Sequence, residues 1–109
     1  METALKAIAE PNRRRILTLV RDEEMSSGEI ASHFDISAPA VSQHLKVLKE
    51  AGLVDERRNG TRRLYSLRRA GLIDLREFLE TFWSAGLDRL KHAAEAEQRK
   101  QQRRKRGDT

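Results

Sequence analysis

Apolar residues in the first half of the chain recur at helical spacing, in four short stretches separated by polar or capping residues. The first stretch runs from Thr3 to Ala9 with Leu5, Ile8 and Ala9 on one face. The second opens at Pro11, a residue suited to a first helical turn, and places Ile16, Leu17 and Val20 at i, i+1 and i+4. Residues 22–25 read as a polar connection. Ser26 followed by Glu29 has the form of a capping box, in which each side chain satisfies a free backbone N–H. The helix it opens turns Ile30, Ala31 and Phe34 inward and is over by Asp35. Ser37 offers the next N-cap oxygen, and Val41, Leu45 and Leu48 give the fourth helix one narrow buried stripe that stops at Ala51-Gly52.

The period then changes. Two strand-like runs, LVDERR and TRRLYSL, flank Asn59-Gly60, a dipeptide that tolerates the positive φ angles of a type I′ turn. A short helix, a tight turn, a capped second helix and a hairpin make a winged helix-turn-helix pattern. From about Leu72 the helical period returns, and Leu75, Phe78, Leu79, Phe82, Trp83 and Leu87 contribute to an apolar side too broad for one small core. Three of the five aromatic residues lie between positions 78 and 83, which predicts that this helix packs against a second copy of itself. The last stretch, QRKQQRRKRGDT, has no apolar residue and predicts a frayed or disordered basic tail. The expected fold is mainly α with one small β-hairpin, in the order α-α-α-α-β-β-α, with residues 1–95 as the domain and 96–109 as the tail.

Composition narrows the function more than the fold. At 109 residues, with 38% apolar and 36% charged, the chain holds one small domain and cannot shelter a buried multi-residue active site. No apolar run approaches a membrane span, and METALKAIAE carries acids where a signal peptide is basic and then apolar, so the expected location is cytoplasmic. Zero cysteines exclude thiolate metal sites, redox switches and a cysteine nucleophile. Ser42 and His44 are two residues apart on a helix and diverge by about 200°, so they are no nucleophile and base pair. His33 reads as a surface residue. Neither an enzyme nor a cofactor is expected.

Charge is unevenly placed. Residues 1–98 are balanced, so the whole net charge of +5 sits in residues 99–109. Inside the balanced part, six arginines and no acid lie between Arg57 and Arg69. Such a cluster is the footprint of a polyanion-binding surface. On the fourth helix the side opposite the buried stripe carries Pro39, Gln43 and Lys46 with Ser42 beside them, a polar and thinly charged face suited to base edges in a DNA major groove. Taken alone that face would be ordinary solvated helix; the adjoining cap, short turn and arginine hairpin favour DNA. Arg57, Arg58, Arg62 and Arg63, with Asn59 and Thr61 at the tip, are placed to grip phosphate, and Ser37, Ala38 and His44 complete the expected contact set. Arg13, Arg14 and Arg15 read more readily as partners of Glu10 or another nearby acid than as phosphate ligands.

The segments ALKAIAEPNRRRIL, GEIASHFDISAPAVSQHLKVLKEAGLV and RRNGTRRLYSL resemble the ArsR/SmtB family of bacterial winged-helix transcriptional regulators, over nearly all of residues 4–90. The resemblance implies a homodimer through the first and last helices, with Leu5 and Ile8 joining Leu75, Phe78, Leu79, Phe82, Trp83 and Leu87 at the interface. It also implies a palindromic operator read by two copies of the fourth helix, with Ser42 and Gln43 at the reading positions. The family's thiolate pair would fall at Ser26 to Gly28, where no thiol exists, and its D-x-H element would read Asp74-Leu75-Arg76. Asp88, His92 and Glu95 share one helix face, but two carboxylates and one imidazole on an exposed helix are ordinarily a solvated face, and no metal is expected. The expectation is a sequence-specific, dimeric autorepressor of double-stranded DNA, unresponsive to metal and open to control by a small organic molecule or a protein. The competing classes are a winged-helix protein-interaction module and a nonspecific DNA binder that relies on the tail.

Overall fold

Helices α2 (Pro11–Leu19), α3 (Ser27–Ala31) and α4 (Ala38–Glu50) each begin where the sequence supplies a side-chain oxygen. Glu10 accepts from the Arg13 N–H at 2.9 Å, Ser26 from the Glu29 N–H at 3.1 Å, and Ser37 from the Ala40 N–H at 3.2 Å. The capping box forms with one change: the Glu29 carboxylate accepts from the Ser26 hydroxyl, at 3.0 Å, rather than reaching the backbone. The structure, a computed structural model, describes the backbone of residues 1–107 and their side chains except those of 84, 85, 87 and 104–107. Its contacts divide the chain into two units, Met1–Leu75 and a second beginning at Arg76.

In the first unit α1 (Glu2–Ile8) buries Ala4 and Ala7, not the expected face; Leu5 and Ile8 are half-buried and Ala9 is exposed. Small residues fit there because α1 lies close against α2 and α4. The carbonyls left open at its end are taken by arginines. Arg13 Nε donates to Ala7 O at 2.6 Å, and Arg14 donates to Ile8 O at 2.8 Å and Ala9 O at 3.0 Å. Arg15 lies over the Phe34 ring, 4.6 Å from its centroid. The three arginines thus hold the end of α1 and the segment that follows α3, and Glu10, expected as their ion partner, caps α2 instead.

The core gathers Ile16 and Val20, Ile30 of α3, the α4 stripe Val41, Leu45 and Leu48, and Leu53, Val54 and Tyr65. Each fully buried aliphatic side chain contributes at most about 1.5–3 kcal/mol, which is why an apolar stripe three residues long suffices to fix α4. Strands β2 (Val54–Asn59) and β3 (Arg62–Leu67) form the hairpin, anchored by Val54, Leu64 and Tyr65 while its tip stands exposed. A third strand, β1 (Met25–Ser26), pairs antiparallel with β3 and gives the order β1-β3-β2. A two-residue strand has no alternation to detect, so these residues read as part of a loop. The turn also differs from expectation. Asn59 pairs with Arg62, so Gly60 and Thr61 are the loop residues, and Gly60 alone has positive φ, +66°. Glycine at the first central position is the requirement of a type II′ turn.

After β3 a 3₁₀ turn (Arg69–Leu72) leads into α5 (Ile73–Gly107). Leu75, read as an interface residue, is buried within the first unit. The backbone of α5 stays helical through 96–107, where fraying or disorder was expected. Lack of large apolar residues removes packing but not helix propensity: up to Gly107 the segment is built from Ala, Glu, Gln, Lys and Arg, and cations suit a helix C-terminus.

Candidate nucleic-acid interface

Burial of Val41, Leu45 and Leu48 forces the opposite side of α4 outward, and Ser37, Ala38, Pro39, Ser42, Gln43 and Lys46 are all exposed. His44 is not part of that face. It is half-buried, with Nδ1 3.7 Å from Glu10 Oε2, and so sits between α4 and the α2 cap. Across from the exposed face, Ser27 and the hairpin residues Arg63 and Tyr65 form the other wall of a groove of about 630 Å³, whose α4 wall is Pro39, Ser42, Gln43, Lys46 and Lys49. The structure therefore brings the expected base-facing residues Pro39, Ser42, Gln43 and Lys46 and one expected phosphate-gripping residue, Arg63, to one concave surface, which Arg57, Arg58, Asn59, Thr61 and Arg62 do not line.

Lys49 was missed, although it lies three positions after Lys46 and so continues the same strip. Glu56 was missed too. Its carboxylate accepts from Lys49 Nζ at 3.2 Å and lies 3.7 Å from Arg63 Nε.

The hairpin arginines differ in how they are held. Arg57 donates twice to Glu24, at 2.8 and 2.6 Å, and Arg62 donates to Glu29, the capping-box residue. These carboxylates lie 33 residues upstream, and strand β1 brings them to the hairpin. The run of six arginines is acid-free in sequence but not in space. The bidentate bond to Arg57 lowers the Glu24 carboxyl below its ordinary range and raises the guanidinium. Arg58 has no ion-pair partner among the described residues, and it, Asn59 and Thr61 are exposed. An arriving phosphate therefore competes with a carboxylate at Arg57 and Arg62 but not at Arg58.

In the second unit Phe78, Leu79, Phe82, Trp83 and Leu90 are exposed, Phe82 by 68%, with Phe78 and Phe82 in edge contact at 5.1 Å. The Leu87 side chain, expected among them, lies outside the described residues. His92 Nδ1 is 4.0 Å from Glu95 Oε2, and Asp88 is exposed; no group of three such side chains able to hold a metal occurs among the described residues. Among the described residues no helix is long and apolar enough to cross a membrane.

The model of the bacterial regulatory protein, arsR family, matches residues 10–56, which run from the α2 cap through α4 into β2. The transcriptional repressor SdpR of Bacillus subtilis is 40% identical over 86 residues, covering 79% of this chain and 96% of that protein. The HTH-type transcriptional regulator Rv2034 of Mycobacterium tuberculosis is 45% identical over 86 residues, covering 79% and 80%. Among solved structures, a protein described as a possible transcriptional regulator for arsenical resistance superposes with a TM-score of 0.68 at 46% identity, over 79% of this chain and 90% of that one. With the winged helix-turn-helix geometry, these likenesses establish that the chain belongs to the ArsR family of bacterial regulatory proteins.

Proposed function

We propose that the protein is a sequence-specific transcriptional repressor that binds a palindromic operator as a homodimer, with the promoter of its own gene as the leading target. One observation carries this reading: the exposed side chains Ser42, Gln43 and Lys46 of α4 and the cation Arg63 of the hairpin line the same groove. Gln43 can pair with adenine N6 and N7 and Ser42 with a base or phosphate, while the hairpin supplies backbone contacts that position without specifying. The repressor SdpR supports repression, and the apolar side chains left exposed on α5 support a second copy as their cover. Half-buried Leu5 and Ile8 are assigned to the same interface. Action on DNA places the protein in the cytoplasm.

The test is a fluorescence-anisotropy titration with duplex from the gene's own upstream region against scrambled competitor, repeated with chelator and with zinc. Selective binding by a dimer, unchanged by chelator or zinc, is expected, with control left to an organic or protein effector. Release by zinc would restore His92 and Glu95 as metal ligands, and equal binding of scrambled duplex would favour a nonspecific binder.

A further inference from the structure

The groove that lines up Lys46, Lys49 and Arg63 also contains an acid. Glu56 points into it from β2 with its side chain only 15% exposed. Its register partner across the hairpin is Tyr65, and Arg63 lies two residues from Tyr65 on the same face of β3. Lys49 reaches the same carboxylate from α4, at 3.2 Å. Two cations from two different elements therefore converge on one half-buried negative charge. Burial, with the Glu56 carboxylate beside it, pushes the Tyr65 phenol up, so the phenol stays neutral and adds no second anion to the groove.

A carboxylate on the wall of a polyanion-binding groove opposes the function of that groove. A phosphate entering it meets a like charge and must draw Lys49 and Arg63 away from an existing partner. We propose that Glu56 is a specificity-determining residue of this interface: by holding Lys49 and Arg63 as counter-ions, it withholds two cations from arbitrary phosphate backbone. The inference rests on the DNA-binding reading. Its logic is that nonspecific binding is electrostatic and free to slide until phosphates meet every available cation, whereas base contacts fix the register of an operator complex and with it the phosphates that can approach. Removing the carboxylate therefore helps random duplex more than operator.

Glu56→Gln keeps the shape and an acceptor oxygen for Lys49 while removing the charge. The full-length variant is compared with the wild type by anisotropy on an operator duplex selected from a random pool and on random duplex, over a series of salt concentrations, with thermal melts confirming the fold. Random-duplex affinity is expected to rise roughly threefold or more at low salt, with the salt slope steeper by about one to two units. The ratio of operator to random affinity falls correspondingly. Adding Lys49→Gln to Glu56→Gln should cancel about one unit of that gain. An unchanged slope on random duplex, an equal gain on both duplexes, or a parallel loss on both would overturn the proposal, the last marking Glu56 as a mere brace between α4 and the hairpin. If the wild type itself prefers no duplex from the pool, the DNA-reading function fails instead, and the random-duplex slope still reports whether Glu56 withholds the two cations.

Discussion

Glu24 and Arg57, 33 residues apart in the chain, are joined by two hydrogen bonds of 2.6 and 2.8 Å that tie the approach to β1 to the outer strand of the hairpin. Because this bond lowers the Glu24 carboxyl, its contribution to stability is present above the ordinary carboxylate value of 4.5 and is lost as pH falls through the depressed folded value. Glu24→Gln should therefore unfold at lower urea than the wild type near neutrality. The gap is expected to close as pH falls below 4.5 and through the depressed folded value, as protonation removes the same charge from the wild type. A gap that stayed constant to the lowest pH would show that the carboxylate charge contributes nothing.

The same pair shows what the sequence could and could not reveal. Local signals were legible: Ser26, Ser37 and Glu29 act at helix starts, and the Val41, Leu45, Leu48 stripe fixes which side of α4 faces out. The α4 residues of the groove follow from that stripe by simple rotation, whereas Ser27, Glu56, Arg63 and Tyr65 reach it from other elements. What stayed hidden depends on pairing across distance. The two residues of β1 carry no periodic signal, yet their pairing with β3 brings Glu24 and Glu29 to the hairpin arginines. Arg13 and Arg14 misled for a similar reason, since their partners are backbone carbonyls, which no side-chain pattern encodes. Beyond residue 96 the helix has no apolar periodicity to read, and only the propensity of its residues signals it.

Where the chain re-enters after the hairpin, Gly71 passes directly over the end of α4. A Cβ at Gly71 would stand 2.0 Å from Gly52 O and 2.9 Å from Gly52 C, backbone atoms of the α4 C-terminal cap that cannot move alone. Gly71→Ala is expected to cost at least about 1–3 kcal/mol, as overpacked sites do, and to lower Tm by several degrees or more. A variant melting with the wild type would mean that the 3₁₀ turn shifts freely.

Phe82 is 68% exposed, so changing it leaves the fold of the protomer untouched while altering the surface assigned to the second copy. An uncompensated carboxylate buried between subunits costs about 3–5 kcal/mol. Phe82→Glu should thus weaken dimerisation by more than about a hundredfold, read by sedimentation equilibrium, and weaken operator binding with it. A dimer of undiminished strength would remove this face of α5 from the interface.

Gln43, Arg58 and Arg62 separate reading from gripping. Gln43→Ala removes an exposed amide from the base-facing side of α4, and should relax the preference at one operator position by about 1–3 kcal/mol with the salt slope unchanged. Arg58 has no ion-pair partner among the described residues, so Arg58→Ala should weaken operator and scrambled duplex alike and lower the slope by about one unit. Arg62 carries the same charge but is already bonded to Glu29, so Arg62→Ala should lower the slope by less than Arg58→Ala does. Salt titrations of the three variants on both duplexes distinguish these outcomes. If Arg62→Ala and Arg58→Ala gave equal slopes, the Glu29 contact would be lost at no cost on binding, and the acids beside the hairpin would play no part in setting its grip.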